Sequence, residues 1–251
     1  MKKIIMITLF YIIFVSITGL GEEIKKDEVA RKIAILTVQE KRIAHFFSLN
    51  LGRDSLGEIE SRVNKILYTK YTIHPVPDSQ IEGVRVYDLG NYEVEMDSIS
   101  MFTDHPQHFV VAITDDLKPF RLGGFDGQTE FYDMIAHLTK SGISFEKNIL
   151  PLSELFYCLE GEIWGIKMVS NPRQLKKALE KWDIEDLGGP PVDSIASRIK
   201  PASVTKKKDA WEVVFCAVTY SDYLDDYPFV RRIQVKVVNG AFKVVSDEEV
   251  F

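Results

Sequence analysis

The hydrophobic positions divide the chain into a short apolar run at its start and a long mixed part. Residues 4–20 are apolar with four exceptions, Lys2 and Lys3 precede them, and a Gly-Leu-Gly triplet stands before two glutamates. A basic start, an apolar stretch and a small-x-small triplet are typical of a secretory signal peptide. Residues 1–21 are therefore predicted to be a signal peptide. The alternative is an uncleaved membrane anchor, because about 17 apolar residues is the lower limit for a membrane-spanning helix.

Helical periodicity dominates the next part of the chain. Apolar residues recur at three- and four-residue steps in 22–49 and in 55–67, where Ser55 and Glu58 form a capping-box pattern. Two prolines, Pro75 and Pro77, end this helical region. Further helices are predicted over 128–140, 152–159 and 171–182, the last with Asn171 as its N-cap and Pro172 at its first helical position.

Strand patterns follow the first helices and return at the end of the chain. The Asn239-Gly240 pair between two β-rich runs is a strong indication of a tight hairpin. A turn is also expected at 208–209, and another at 88–91. The predicted strands and extended segments are 84–87, 92–102, 108–114, 143–150, 162–169, 202–205, 210–220, 229–238 and 241–245.

These elements predict an α+β fold in which N-terminal helices precede antiparallel β-meanders packed on helices. Both β regions have the same order: a short strand, a turn, a strand starting aromatic-Glu-Val, a polar loop and a strand starting near phenylalanine. This order is similar to that of cystatin-like and nuclear-transport-factor-like folds, which implies two helix-plus-curved-sheet units and no particular activity. The alternative is that any two antiparallel meanders look this alike.

The domain organisation is predicted from a turn-rich segment, Gly188-Gly189-Pro190-Pro191. We expect an N-terminal α+β region over 22–170 and a C-terminal helix with an antiparallel meander over 171–251. Without residues 1–21 about 230 residues remain, which is enough for a sizeable core.

The charge balance narrows the range of partners. The chain has 31 basic and 37 acidic side chains. Without Lys2 and Lys3 it has 29 basic side chains, so its net charge is −8. An acidic chain repels phosphate backbones, so nucleic acid is not an expected partner.

Two cysteines, Cys158 and Cys216, are the only ones in the chain. Neither follows the signal segment, so lipid attachment of the lipoprotein type is not expected. In an exported chain they could form one disulfide, which would close a loop of about 58 residues and add about 4 kcal/mol to the free energy of unfolding. The alternative is two buried free thiols.

A candidate metal site lies in the loop before the strand at 108–114. Asp104, His105 and His108 supply a carboxylate and two imidazoles, which are ligands for zinc or copper. The alternative is a polar hairpin loop, because the sequence places no third histidine or cysteine nearby.

A candidate binding site lies in the corresponding loop of the C-terminal meander. Its carboxylates supply hard oxygen ligands and its phenol rings supply stacking faces, which suit calcium, a cationic peptide or a sugar. The alternative is a solvated acidic loop, since the glycine-bearing spacing of an EF-hand is absent. The residues of this site are Tyr220, Asp222, Tyr223, Asp225, Asp226 and Tyr227.

The motifs of common enzymes are missing from the sequence, which has no GxSxG, GxGxxG, GxxxxGK[ST] or CxxC. We therefore expect a secreted or periplasmic, non-enzymatic binding or accessory protein without a cofactor, acting on a protein, a peptide or an envelope component. The alternative is a secreted hydrolase or metal-dependent enzyme whose site is assembled from distant residues, with Asp104, His105 and His108 as the first suspects.

Overall fold

The fold is α+β, with helices packed on two antiparallel sheets. The computed structural model describes residues 26–50, 56–75, 81–91, 107–122, 127–160, 167–180, 190–221 and 227–250. The predicted signal peptide lies outside these residues. Every helix within them is too short or too polar to cross a membrane.

Two helices open the described part of the chain. Helix α1 is Lys26–Asn50 and helix α2 is Leu56–Tyr68, close to the predicted ranges. Gln39 of α1 donates from Nε2 to the Leu67 carbonyl at 3.0 Å, so α1 supplies a partner for one of the last carbonyls of α2.

Sheet A is a four-stranded antiparallel meander in sequence order. The predicted turn at 88–91 is wrong, because these residues continue the second strand and pair with residues 107–110. The ladder overrides the turn-forming residues there, and Leu89 is fully buried. The predicted strand at 92–102 lies outside the described residues. The strands are β1 (Thr72–Pro75), β2 (Val84–Asn91), β3 (Gln107–Thr114) and β4 (Pro119–Arg121).

Two central helices follow sheet A. They are α3 (Gly127–Lys140) and α4 (Ile149–Glu160), with a 3₁₀ turn at Glu146–Asn148 before α4. The predicted extended segment at 143–150 is therefore wrong. The Asn148 side chain holds this turn, since it donates to the Ser144 carbonyl at 3.0 Å and accepts from the Glu82 amide at 2.8 Å.

Sheet B forms most of the C-terminal part. Strand β7 is central: β8 pairs along its whole length, while β6 and β5 pair with its first and last parts. Both predicted turns are confirmed, and positive φ angles at Asn239 and Gly240 fit the tight hairpin expected there. The strands are β5 (Lys167–Val169), β6 (Ser203–Lys207), β7 (Ala210–Ser221), β8 (Tyr227–Val238) and β9 (Ala241–Glu249).

Two further helices lie on sheet B. They are α5 (Pro172–Leu179) and the short α6 (Val192–Ala196). The Asn171 side chain accepts from the Gln174 amide at 3.0 Å, as the predicted N-cap requires. Strand β5 precedes the predicted domain boundary at 170–171 but pairs with β7, which follows it.

Three apolar clusters hold these layers together. The largest cluster joins the inner faces of both sheets through α3 and α4. In it, the ring centroids of Phe131 and Phe242 are 5.3 Å apart. The second packs α1 on the outer face of sheet A. The third packs α5 and α6 on the outer face of sheet B, over Cys216, Val218 and Val230. The central helices therefore lie between two sheets, and each sheet has an inner and an outer face.

Candidate functional site

The predicted binding loop is the connection of the β7–β8 hairpin. Tyr220 lies opposite Pro228 and Ser221 lies opposite Tyr227, so both tyrosines belong to paired strands. Asp222, Tyr223, Asp225 and Asp226 lie outside the described residues. The strands on either side of segment 222–226 pair with each other at twelve positions.

The predicted metal site lies at the other long hairpin, between β2 and β3. His108 is a β3 residue opposite Gly90, while Asp104 and His105 lie outside the described residues. Among the described residues, no three His, Cys, Asp or Glu side chains are grouped closely enough to hold a metal ion. The site at 104–108 therefore stays a prediction.

Cys158 and Cys216 are buried free thiols in the structure and do not form a disulfide. Phe215 and Cys216 are neighbours in β7 and therefore face opposite sides of sheet B. Phe215 lies in the cluster with α4, the helix that carries Cys158, whereas Cys216 lies in the cluster with α5 and α6. A bridge would have to pass through the sheet. Burial raises the pKa of the Cys158 thiol to about 12, with a further contribution from Glu154, so this thiol is unreactive.

A polar network that sequence patterns missed connects the β3–β4 turn to α3. Asp116 accepts from the Thr114 hydroxyl, and His137 Nε2 lies 2.9 Å from Asp116 Oδ2. The Thr114 hydroxyl first and His137 second hold the pKa of the Asp116 carboxyl below its usual value. The turn itself requires a positive φ of 67° at Leu117. The sequence separation of 21 between Asp116 and His137 hides this pair from any local motif.

The chemistry of this network is limited by the direction of its hydrogen bonds. In a nucleophilic triad, the hydroxyl donates to the imidazole and the carboxylate orients that imidazole. Here the Thr114 hydroxyl donates to the carboxylate, and it also accepts from the Lys118 amide at 3.1 Å. The arrangement orients a histidine and stabilises a turn, and Thr114 is not placed as a nucleophile.

A second network joins α4 to the edge of sheet B. Tyr157 donates from its hydroxyl to Asp247 Oδ2 at 3.0 Å, and Arg231 donates from Nε to Asp247 Oδ1 at 2.7 Å. Burial and the Asp247 charge raise the pKa of the Tyr157 phenol above its usual value. Each Asp247 oxygen therefore has a donor, and the network fixes β9 against the central helix.

A small crevice lies between α1 and strands β3 and β4. Its volume of about 10 Å³ has room for about one water molecule and not for a substrate. Its lining residues are Thr37, Val38, Lys41, Phe109, Val110, Val111 and Arg121.

The outer face of sheet B is only partly covered by helices. Helices α5 and α6 cover only the part around Cys216, Val218 and Val230. Beyond them, outer positions of four strands face solvent wholly or in part. The strand register assigns these positions to one face: Thr205, Lys207, Glu212, Val214, Gln234, Lys236, Lys243 and Ser246.

Comparisons with known proteins leave the chain unassigned, since no family model, no curated protein and no solved structure matches it.

Proposed function

We propose that the chain is an exported, non-enzymatic binding or accessory protein of the cell envelope or extracellular space. It contacts a protein, a peptide or another envelope component through its surface. The observation that supports this proposal most directly is the partly open outer face of sheet B.

The solvent-exposed outer face of sheet B could serve as a contact surface for a partner. One face packs on the core and the other faces water, and a macromolecule can contact that second face without entering a cavity. Small-molecule sites are concave and much larger than the water-sized crevice beside α1. The segment that connects β7 and β8, residues 222–226, carries three aspartates and is a second candidate for contact with a partner.

Export is supported by residues 1–21 alone, with their two lysines, apolar run and small-residue triplet. It is tested by fractionating cells that produce the full chain and by measuring the mass of the recovered protein. We expect an exported protein that begins at or near Glu22, and a variant lacking residues 2–20 that stays in the cytosol. Recovery of intact full-length chain in the cytosol would contradict the proposal.

Surface contact is tested on isolated envelopes washed at low salt. Wild-type protein should remain bound, and a variant with residues 222–226 replaced by Gly-Ser or with Lys236→Gln/Lys243→Gln should be released more readily. Lys32→Gln/Lys70→Gln, which removes the same charge from α1 and the α2–β1 connection, serves as the control. Release of the wild type, the two test variants and the control at the same salt concentration would argue against contact through segment 222–226 and through the outer face of sheet B.

A further inference from the structure

The outer face of sheet B contains an unusual cross-strand pair of lysines. Lys236 of β8 lies directly opposite Lys243 of β9, and Glu212 of β7 lies on the other side of Lys236. Side chains in such positions have Cβ atoms about 5 Å apart, and like charges there destabilise a sheet. Glu212 forms an ion pair with Lys207, whose Nζ lies 2.5 Å from Glu212 Oε2. Within the described residues, neither Lys236 nor Lys243 makes an ion pair, so two unneutralised ammonium groups lie side by side in solvent.

The same side of the molecule carries a surplus of positive charge beyond this pair. Among the described residues, exposed cations lie at the outer positions of sheet B, on α5 and in the turn after α6, and four acidic side chains lie among them. The acidic residues are Glu180, Asp193, Glu212 and Glu248. The basic residues are Lys167, Arg173, Lys176, Lys177, Arg198, Lys200, Lys207, Arg232, Lys236 and Lys243.

This surplus is not cancelled by the segment that connects α5 to α6. Residues 181–189 contain one lysine and three acidic residues, so they change the balance by only two charges. Among the described residues, ten basic and four acidic side chains therefore make this side of sheet B positive in a chain whose overall net charge is −6.

The residue types on this side indicate which anion it suits. Seven of the ten cations are lysines, which act as point charges, whereas recognition of a particular carboxylate or phosphate group favours the bidentate arginine fork. The described side chains of the outer face include no aromatic ring. Sugars and single-stranded nucleic acids are recognised by stacking on aromatic rings. The surface thus suits an extended array of negative charge that is recognised by its charge density.

We propose that the outer side of sheet B docks on an anionic phospholipid surface, with Lys236 and Lys243 at the centre of the contact. Lysines close to an anionic bilayer each contribute about 1 kcal/mol, which corresponds to about a fivefold gain in binding. The inference rests on the proposed function in one respect, because export would bring the chain to a membrane surface in the envelope.

The experiment measures binding of the purified chain, as recovered from the producing cells, to sedimenting lipid vesicles. Vesicles of phosphatidylcholine with about one-third phosphatidylglycerol are compared with pure phosphatidylcholine vesicles. We expect binding to the anionic vesicles only, and its loss at high salt, where the screening length falls to about 3 Å at 1 M. Lys236→Gln/Lys243→Gln should weaken binding about 25-fold, as two fivefold contributions predict.

The variants are chosen so that misfolding does not explain a loss of binding. Lys236→Gln/Lys243→Gln removes a like-charge pair and should leave the thermal transition unchanged or raise it. Lys32→Gln/Lys70→Gln makes the same change in net charge on exposed residues away from sheet B and should bind vesicles like wild type.

Three results would overturn the inference. They are equal binding to neutral and anionic vesicles, no binding to either, or equal weakening by the two double variants. Binding to immobilised polyglutamate without binding to anionic vesicles would assign an acidic protein as the partner instead. A chain that is exported and retained on envelopes but does not bind vesicles would refute only the lipid contact and leave the proposed function standing.

Discussion

Sheet A and sheet B are both antiparallel meanders, but they differ in what covers their outer faces. In β3 of sheet A, every residue from Val110 to Thr114 is buried, because α1 covers one face and the central helices cover the other. In β8 of sheet B, Ile233, Val235 and Val237 are buried while Lys236 between them is exposed. A continuous apolar strand thus marks a doubly covered sheet, and an alternating strand marks a face left to solvent.

The cover of sheet A depends on small residues in α1. Ala30 and Ala34 are fully buried and Val38 is nearly so, at four-residue spacing along one side of the helix. Short side chains allow a helix to lie close to a sheet. The outer face of sheet B has a comparable cover only where α5 places Leu175, Ala178 and Leu179.

The largest expected effect comes from removing apolar volume from the covered outer face of sheet A. Leu89 is fully buried between β2 and α1. Leu89→Ala should lower the free energy of unfolding by about 2–5 kcal/mol, since it loses buried methyl groups and leaves a cavity. Urea denaturation followed by circular dichroism measures the change.

The matched control lies on the open outer face of sheet B. Gln234→Ala, on β8 opposite Val214 and Ser246, should change the free energy of unfolding by no more than about 0.5 kcal/mol. A loss as large as that of Leu89→Ala would mean that the outer face of sheet B is packed against another part of the chain, and the contrast between the two sheets would fail.

The next effect tests how closely α1 approaches sheet A. Ala34→Leu adds volume at a fully buried position and should cost about 1–3 kcal/mol through overpacking. Ala44→Leu places the same side chain on the exposed side of α1 and should be nearly neutral. Equal stability of the two variants would show that α1 can shift away from the sheet without cost.

A smaller effect concerns the attachment of sheet B to the central helix. Tyr157→Phe keeps the ring contact with Phe215 but removes the hydrogen bond to Asp247. It should lower the free energy of unfolding by about 1–2 kcal/mol at pH 8, because the mutation removes a hydrogen bond to a charged acceptor.

The pH dependence of this effect follows from the raised pKa of Tyr157. The folded-state pKa of this phenol lies above its unfolded value of about 10. Its contribution to the free energy of unfolding is therefore complete below about pH 10 and declines as the pH rises towards the folded-state pKa. The difference between wild type and Tyr157→Phe should therefore be constant up to about pH 9 and shrink above pH 10. A difference that grows with pH would contradict the assigned hydrogen bond.

The sequence predicted those elements whose evidence is local. Asn239-Gly240 and the Asn171-Pro172 helix start needed only neighbouring residues, and both were found. Strands β1 and β4 were missed because three or four residues show no period, and both include a proline tolerated at a sheet edge. The start of α4 was misassigned because almost all of its residues are buried, which removes the amphipathic pattern.

The polar sites depend on distances that a sequence does not contain. Asp116 and His137 meet only because the β3–β4 turn packs beside α3. Lys236 and Lys243 share a face only through the β8–β9 register, which the sequence alone does not give. The acidic segment 222–226 and the residues Asp104 and His105 remain sequence predictions, since they lie outside the described residues.

The smallest effect tests the partial cover of sheet B. Asn171 accepts from the Gln174 amide at 3.0 Å, and the Gln174 side chain accepts in return from the Ser170 amide at 2.8 Å. Asn171→Ala should cost about 1 kcal/mol, whereas Asn171→Ser, which keeps a capping oxygen, should cost little.

The reactivity of Cys216, which lies under α5, can report the local effect of Asn171→Ala. Because Cys216 lies in the cluster that α5 covers, loosening of α5 should expose its thiol more often, while Cys158 in α4 stays protected. Asn171→Ala should therefore accelerate the reaction of Cys216 with a thiol reagent about fivefold, as 1 kcal/mol of local destabilisation predicts, and Asn171→Ser should not. If both cysteines reacted faster to the same extent, the opening would be global. Helix α5 would then unfold together with the central core as one cooperative unit. In that case the helical cover of sheet B would be no less stable than the cover of sheet A.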